Sequence, residues 1–284
     1  FDVSIAEVSE TGASGQARLC IRNIVPAPFL KARHAATAAS VFFSATLSPP
    51  RFYADMLGLD AHAAWLEVET PFEAGQLDVR THVHISTRWR RRHDSLAPIA
   101  ALMAEQYGRE PGNYLAFFSS FDYMERAAAN FSSQHPDVPC WLQVRSGNDE
   151  TRTSFLQRFV AGGRGVGFAV LGGAFGEGID LPGSRLIGAF IATLGLPEMN
   201  AVNEEVRRRL QASFGSGYDY AYLFPGLRKV VQAAGRVIRT STDRGTLHLV
   251  DDRFADPEIR ALLPTWWRPR DASTETQAGN GQAP

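Results

Sequence analysis

The chain has 284 residues, of which 44% are hydrophobic, and a formal net charge of -1. This length can bury one sizeable core, and the near-neutral charge excludes a nucleic-acid binder that relies on bulk positive charge, so any such binding must come from a local patch. No apolar stretch approaches the roughly 20 residues that cross a bilayer, so no membrane span is predicted. With only Cys20 and Cys140, disulfide frameworks and cysteine-bound clusters are excluded, and a reducing, cytoplasmic setting is predicted.

The first 48 residues differ in pattern from the rest of the chain. They contain a polar opening, a predicted strand from Leu19 to Val25 and an alanine-rich stretch that ends at Ser40. The chain begins at Phe1 without a charged and apolar leader. We therefore expect residues 1–48 to be the end of a preceding region of a longer protein.

From residue 41 onward, short apolar runs alternate with segments of helical periodicity. Polar caps predict helices that begin near residues 95, 121 and 149. Such alternation is typical of an α/β fold with a parallel sheet flanked by helices. Residues 271–284 are small and polar without periodicity and predict a disordered tail. The apolar runs predict strands at Val41–Phe43, Val79–Ile85, Tyr114–Phe118, Val138–Val144, Gly167–Leu171, Leu186–Ala192 and Thr246–Val250.

Residues 225–239 have the periodicity of an amphipathic helix. At about 100° per residue, Gln232, Arg236 and Arg239 share the polar face, opposite an apolar one. Two guanidiniums suit a polyphosphate because they offer forked donors and permanent charge, and an amide can orient an attacking water. A solvated arginine face on an ordinary helix is the alternative.

These residues resemble motif VI of superfamily-two helicases, specifically the DinG/XPD family. Residues 44–47 resemble motif III of that family, residues 117–124 resemble motif IV, and residues 172–180 resemble motif V, in the same order along the chain. The similarity covers about residues 40–255. Four motifs in order are far more specific than any one of them.

The resemblance implies a RecA-like second helicase lobe over residues 49–270, with motif III in the end of the first lobe and its linker at residues 1–48. It implies an ATP-dependent DNA helicase, with a role in DNA repair, that couples hydrolysis to movement from 5′ to 3′ along single-stranded DNA and to duplex unwinding. ATP and Mg²⁺ would be bound mainly by a first lobe of the same chain.

The resemblance also implies roles for individual residues. Arg236 and Arg239 would reach the γ-phosphate of ATP, one of them as arginine finger, with Gln232 beside them. Phe121 stands where relatives often have Tyr, which removes any role that needs a hydroxyl there. The other implied roles are ATP binding by Glu177, Gly178 and Asp180, coupling of nucleotide state to strand movement by Ser44 and Thr46, and DNA contact by Ser119 and Ser120.

Several parts of such a motor are missing from this sequence. Neither Lys31 nor Lys229 follows a glycine, so there is no phosphate-binding P-loop, and there is no acidic metal-binding motif. In the family these parts belong to the first lobe, as do the iron–sulfur cysteines. The resemblance allows an iron–sulfur cluster only in a longer parent chain, and the given residues alone are expected to be inactive.

Residues 88–93 form a basic run with one aromatic, Arg-Trp-Arg-Arg-Arg-His. Such a run can track a nucleic-acid backbone and stack a base, so Arg88 and Arg90 are predicted DNA contacts. A solvated entrance to a helix is the alternative. His82 and His84 lie close in sequence, but without a third ligand no metal site is predicted.

Two other functional classes compete with the motor. A dinucleotide-dependent enzyme requires Gly-x-Gly-x-x-Gly after a strand, and neither residues 162–167 nor residues 172–178 have that spacing. A non-catalytic nucleic-acid-binding module is the remaining alternative, and it predicts no requirement for Gln232, Arg236 or Arg239.

Overall fold

The computed structural model describes residues 2–6, 18–60, 62–145, 148–172 and 180–272. These residues form two compact units, one from the described parts of 1–67 and 197–225 and the other from those of 68–196 and 226–284. The domain boundaries predicted after residues 48 and 270 stay a prediction.

The first unit combines a two-stranded antiparallel sheet with three helices. Strand β1 (Asp2–Ala6) pairs with β2 (Arg18–Arg22), whose position agrees with the predicted strand. The rings of Phe52, Tyr220 and Phe224 pack edge to face or tilted, 5.0–5.7 Å apart. The helices of this unit are α1 (Ala27–Ala35), α2 (Pro50–Leu57) and α6 (Ala201–Phe214), the last followed by a π-helical turn at Asp219–Leu223.

The second unit is built on a seven-stranded sheet in the order β5-β6-β4-β7-β8-β3-β9. All of its strand pairs are parallel. The strands are β3 (Leu77–Thr81), β4 (Asn113–Phe118), β5 (Cys140–Leu142), β6 (Gly165–Val170), β7 (Gly188–Ala192), β8 (Gly245–Leu249) and β9 (Arg270–Asp271).

Helices connect these strands, as the alternating pattern predicts. Ser120 and Asn148 cap the second and third of them, because each side chain accepts a hydrogen bond from a backbone N–H of the first turn. The helices are α3 (Arg92–Arg109), α4 (Phe121–Gln134), α5 (Asp149–Gln157), α7 (Phe224–Ala234) and α8 (Pro257–Arg260). The first two residues of α7 belong to the first unit.

The centre of the core is β4, whose six residues are all buried. Tyr114, Ala116 and Phe118 join the cluster that α3 and α4 contribute, so the alternating Leu115 and Phe117 point to the other face. A strand buried on both faces is typical of a parallel sheet covered by helices. The predicted α/β fold is thus confirmed.

The predicted strand at Val41–Phe43 is wrong. These residues are irregular and exposed, and the side chain of Phe43 is 91% accessible. An apolar run becomes a strand only when a neighbouring strand satisfies its backbone groups. No such neighbour pairs with residues 41–43 in the described part of the chain.

The predicted helix over residues 225–239 is too long. α7 ends at Ala234, and the chain then tightens through short bonds from Arg236 N–H to the Ala233 carbonyl and from Val237 N–H to the Ala234 carbonyl. Gly235 favours this end because it is a poor helix former. Of the three residues predicted to share one helical face, only Gln232 therefore lies on the helix. Arg236 is buried in the turn that follows, with 6% of its surface accessible.

Two other predictions concern a disordered tail after residue 270 and the absence of a membrane-spanning segment. Asp271, with which the predicted tail begins, pairs with Thr81 in β9. Residues 273–284 lie outside the described residues, so the tail stays a prediction. No helix in the described part of the chain is long and apolar enough to cross a membrane.

Two buried histidines face each other across β3 and β8. The Nε2 of His82 lies 2.9 Å from the Nδ1 of His248, and the ring of His248 stacks on Phe190. Burial, aided by His84 and Arg80 and opposed by Asp271, lowers the pKa of His82 to about 4. Burial, with His82, Arg80 and Arg109, holds the pKa of His248 well below its usual range. The described residues contain no cluster of three or more side chains that could hold a metal.

This pair predicts that the protein loses stability as the pH falls from the ordinary histidine pKa of 6.5 towards the folded value of about 4. In that window the unfolded chain binds more protons than the folded one, and His82 alone accounts for about 2 kcal/mol by about pH 5. Urea unfolding at about pH 7.5 and about pH 5 measures the change. His93→Asn, at an exposed imidazole that acts on neither buried histidine, should leave it unaltered, and equal unfolding free energies at both pH values would contradict the prediction.

Candidate functional site

The candidate residues lie at two opposite edges of the parallel sheet, the carboxyl edge and the amino edge. Residues 119–120 follow β4 and Gly172 follows β6, so they lie at the carboxyl edge. Asp180 precedes β7, and residues 235–244 precede β8, so they lie at the amino edge. Asp180 and Arg239 therefore lie at the opposite edge of the sheet from Ser119 and Ser120.

At the amino edge, the turn after α7 is organised by the buried carboxylate of Asp243. Its Oδ2 accepts from the backbone N–H of Arg239 at 2.7 Å and of Thr240 at 2.8 Å, and its Oδ1 accepts from the Thr240 hydroxyl at 2.7 Å. Burial acts to raise the pKa of Asp243, but the Thr240 hydroxyl and the N–H groups of Arg239, Thr240 and Gly183 lower it below its usual value. The carboxylate thus joins the turn after α7 to the segment before β7.

A second side chain holds the same turn from the side of β3. The Gln76 amide nitrogen lies 3.2, 3.1 and 2.9 Å from the carbonyl oxygens of Thr240, Ser241 and Asp243. Its amide oxygen accepts from the Glu73 N–H at 2.9 Å. Backbone groups that no helix or strand uses are satisfied in this way, so the loop has a defined shape.

This turn brings two predicted site residues together. The Nε of Arg239 lies 3.8 Å from Asp180 Oδ1, with 35% of the arginine side chain and 80% of the aspartate side chain accessible. Arg236 is buried in the same turn, and Gln232 lies half-buried one helical turn earlier on α7. Glu177 and Gly178 fall in residues 173–179, outside the described residues.

Two glycines, Gly195 and Gly226, allow the backbone at the start of α7 to lie close to the backbone that follows β7. Gly195 has a φ of 74°, and a Cβ there would lie 2.5 Å from the Gly226 carbonyl oxygen. Only glycine permits both the backbone conformation and this approach. One turn later, the stem of Lys229 packs across Gly172, and burial together with Arg228 lowers the pKa of Lys229.

At the carboxyl edge, the two predicted DNA-contacting serines differ. Ser120 Oγ accepts from the Tyr123 N–H at 3.3 Å and caps α4, so its hydroxyl proton remains available for another acceptor. Ser119 Oγ is buried without a hydrogen-bond partner among the described residues. The Phe121 ring lies 5.1 Å from the Arg145 guanidinium, a contact that requires a ring and no hydroxyl.

The basic run is attached to this edge through Asp251, which is fully buried. Its carboxylate accepts from the hydroxyl and N–H of Thr87 and is bound by Arg253 at 2.6 and 2.9 Å. Burial raises the pKa of Asp251, but the bonds from Arg253 and Thr87 outweigh it and lower the pKa. The entrance to the run is therefore fixed by a charged group inside the core.

The arginines of the run have different partners. Arg88 Nε binds both oxygens of Asp252 at 3.0 and 3.1 Å, and Arg91 Nε lies 3.4 Å from Asp94. Arg90 is exposed and has no ion-pair partner in the described part of the chain. Of the two arginines that are predicted to contact DNA, Arg90 is thus the more available.

Ser44 and Thr46, the predicted coupling residues, lie in an irregular segment of the first unit. The Thr46 N–H donates to Ser44 Oγ at 3.2 Å, and the two hydroxyl oxygens are 3.4 Å apart. This is a local serine turn that shapes the loop by itself.

Sequence reasoning missed the side chains that hold the candidate residues in place. Gln76 carries no sequence signal, because its partners are backbone carbonyls more than 160 residues away. Asp243 did carry one, since Thr240-Ser-Thr-Asp243 is rich in residues that bond to turn backbones. Asp251 follows a predicted strand, where parallel sheets place polar groups.

Comparison with known proteins identifies relatives of the chain. The model of the helicase C-terminal domain family matches residues 103–270. The chain is 28% identical over 286 aligned positions to the ATP-dependent helicase DinG of Mycobacterium tuberculosis (strain ATCC 25618 / H37Rv), covering 96% of this chain and 41% of that one. It is 32% identical over 181 positions to the regulator of telomere elongation helicase 1 of Bos taurus, covering 56% of this chain and 15% of that one.

Solved structures share the fold at low identity. An XPD helicase superposes with a TM-score of 0.70 at 19% identity, covering 89% of this chain and 46% of that one. The S. tokodaii Xpd4 structure superposes with a TM-score of 0.58 at 16% identity, covering 86% of this chain and 47% of that one. The predicted RecA-like sheet is thereby confirmed, and the chain spans about two fifths of the length of the mycobacterial relative.

Proposed function

The chain belongs to the helicase C-terminal domain family, and from that membership we propose that it is the second motor lobe of an ATP-dependent DNA helicase. A first lobe of the same chain binds most of the ATP and its Mg²⁺, and this lobe adds arginine at the γ-phosphate and a track for single-stranded DNA. Movement runs from 5′ to 3′ and unwinds duplexes. The observation that supports the proposal best is Arg239 held beside Asp180 at the amino edge.

Arg239 is the better placed of the two arginines to serve as arginine finger. Its backbone is fixed by Asp243 while its side chain is partly accessible. Asp180 is mostly exposed, and an exposed ion pair contributes little, so a phosphate group can replace it as the partner of the guanidinium. Arg236 is buried and supports the turn, and Gln232 orients the attacking water from α7.

The carboxyl edge supplies the proposed DNA track. The hydroxyl of Ser120 can donate to a phosphate at the amino end of α4, where the helix dipole favours an anion. Arg88 and Arg90 add positive charge at the same edge of the sheet, which suits a nucleic-acid backbone. The chain as a whole is near neutral, so this local patch must carry the attraction.

The exposed segment at residues 41–43 fits a lobe outside this unit. We propose that this segment packs against the first lobe, which would bury the exposed side chains of Val41 and Phe43. Ser44 and Thr46 follow directly and would then link nucleotide state in the first lobe to strand movement.

Replacing Arg239 by Ala in a chain that carries both lobes should lower DNA-stimulated ATP hydrolysis by about 10³- to 10⁵-fold, because arginine fingers contribute that much to phosphoryl transfer. Nucleotide affinity should fall far less. Arg236→Ala should also impair hydrolysis, and the double variant should be little worse than the worse single one. Arg208→Ala, at an exposed arginine of α6, is the control.

Hydrolysis within a few-fold of the parent for both single variants would refute the motor role and favour a non-catalytic nucleic-acid-binding module. Residues 1–284 alone are expected not to hydrolyse ATP. Turnover by these residues that is stimulated by single-stranded DNA and proportional to protein would also contradict the proposal.

Residues 1–284 should bind single-stranded DNA weakly, with affinity that falls along a shallow slope as salt rises, because one lobe makes few phosphate contacts. Anisotropy titrations at two salt concentrations measure this. Arg90→Ala with Arg91→Ala should weaken binding, whereas Arg208→Ala with Arg209→Ala, at an arginine pair of α6 bound to Glu205, should not. Salt-independent binding, or equal effects of the two pairs, would exclude the basic run as the track.

A further inference from the structure

Trp89 is a large hydrophobic residue that is 75% accessible. The ring lies in a short 3₁₀ turn, Trp89–Arg91, that starts directly after the anchored Thr87 and Arg88. The Arg92 guanidinium carbon lies 4.9 Å from the centre of the indole and 5.2 Å from the centre of the Tyr123 ring. The indole thus has one contact with a cation of the protein itself, that with Arg92, while most of its surface remains accessible.

The groups around Trp89 point to a polyanion with flat rings as its ligand. The ring of Tyr123 shares Arg92 with the indole, and the backbone N–H of Tyr123 donates to Ser120 Oγ, the proposed phosphate contact. Arg90, the residue directly after Trp89, adds an exposed cation. A cationic groove with an aromatic side chain that takes a base face is the recurring arrangement for single-stranded nucleic acid.

We propose that Trp89 is a stacking platform for one nucleobase of the bound single strand. The inference rests on the proposed DNA track and adds a base contact to its phosphate contacts. Because every base has an aromatic face, such stacking is tolerant of sequence, which suits a protein that moves along a strand.

An abasic oligonucleotide separates base stacking from backbone contact. With a thymidine strand, Trp89→Ala should weaken binding by about 5- to 150-fold, and Trp89→Phe should retain most of the affinity. With a strand of the same length that lacks the bases, wild type and Trp89→Ala should bind equally, whereas Arg90→Ala should weaken both strands. Trp65→Ala, at a half-exposed tryptophan of the first unit, is the control.

The outcomes separate the two proposals. Equal weakening of both strands by Trp89→Ala would mean that the indole acts by shaping the backbone contact, which overturns the stacking role. Loss of binding in Arg90→Ala with none in Trp89→Ala would also overturn stacking and leave the track intact. Failure of the wild type to bind either strand would overturn the track and the platform together.

A separate observation concerns the amino edge, where Asp243 is buried and binds the backbone of the residue proposed as arginine finger. We infer that Asp243 is a positioning residue for hydrolysis, acting through Arg239. Its carboxylate binds both that turn and the N–H of Gly183, three residues after Asp180, so it joins the turn that carries the guanidinium to the segment that carries Asp180.

A double-variant experiment in the two-lobe protein tests this inference. Asp243→Ala should lower the maximal rate of hydrolysis at least tenfold with little change in KM, and adding it to Arg239→Ala should cost nothing further, since both act through one group. Asp243→Asn should restore part of the activity, because an amide oxygen can still accept from the N–H groups of Arg239 and Thr240 while the Thr240 hydroxyl rotates to accept from the amide nitrogen. Asp256→Asn, at the cap of α8, is the control.

Effects of Asp243→Ala and Arg239→Ala that multiply would overturn the inference while leaving the arginine finger in place. The same holds if Asp243→Asn is as impaired as Asp243→Ala. Full activity of Arg239→Ala would instead overturn the proposed finger, and Asp243 would lose its role with it.

Discussion

A buried carboxylate at each edge of the parallel sheet fixes an arginine-bearing turn, and both candidate sites depend on this arrangement. Asp243 binds the N–H and hydroxyl of Thr240 at the amino edge, and Asp251 binds those of Thr87 at the carboxyl edge. Burying a carboxylate is costly unless it is fully hydrogen-bonded or paired. Each aspartate therefore tolerates only a narrow set of backbone positions, which keeps the attached arginines in place.

A buried aspartate fixes an arginine-bearing turn at both edges of the sheet, but the arginines of the two turns have different partners. In the proposed motor, the arginine at the amino edge meets a phosphate in only one state, and its present partner, Asp180, is exposed and weakly held. At the carboxyl edge, Arg88 is held by Asp252 and Arg92 is placed over aromatic rings. Fixed cations suit a track that keeps hold of its ligand, whereas an exchangeable ion pair suits a contact that is made and broken.

The sequence predicted the sheet well, because each central strand is a short apolar run bounded by turn residues and packed on both faces. β4 and β7 appear within two residues of the predicted positions. Residues 41–43 share that pattern and form no strand, since pairing depends on a neighbour that composition cannot reveal. The motif positions are assigned by resemblance to the family, whereas Gln76 and its carbonyl partners could not be assigned, because a side chain that binds distant backbone leaves no local pattern.

The position at which α7 ends determines how Arg236 and Arg239 can act, because the helix ends at Ala234 instead of the predicted residue 239. A helix continued to Arg239 would give Arg236 and Arg239 equivalent, solvent-facing positions, and the two would then be interchangeable. The turn after Ala234 instead buries Arg236 and leaves Arg239 partly accessible. A buried guanidinium contributes through the packing and hydrogen bonds of its surroundings, so loss of Arg236 should lower stability as well as turnover, whereas loss of Arg239 should lower turnover alone. Thermal melting beside hydrolysis therefore distinguishes the two arginines, and equal melting temperatures for Arg236→Ala and Arg239→Ala would restore the picture of two equivalent fingers.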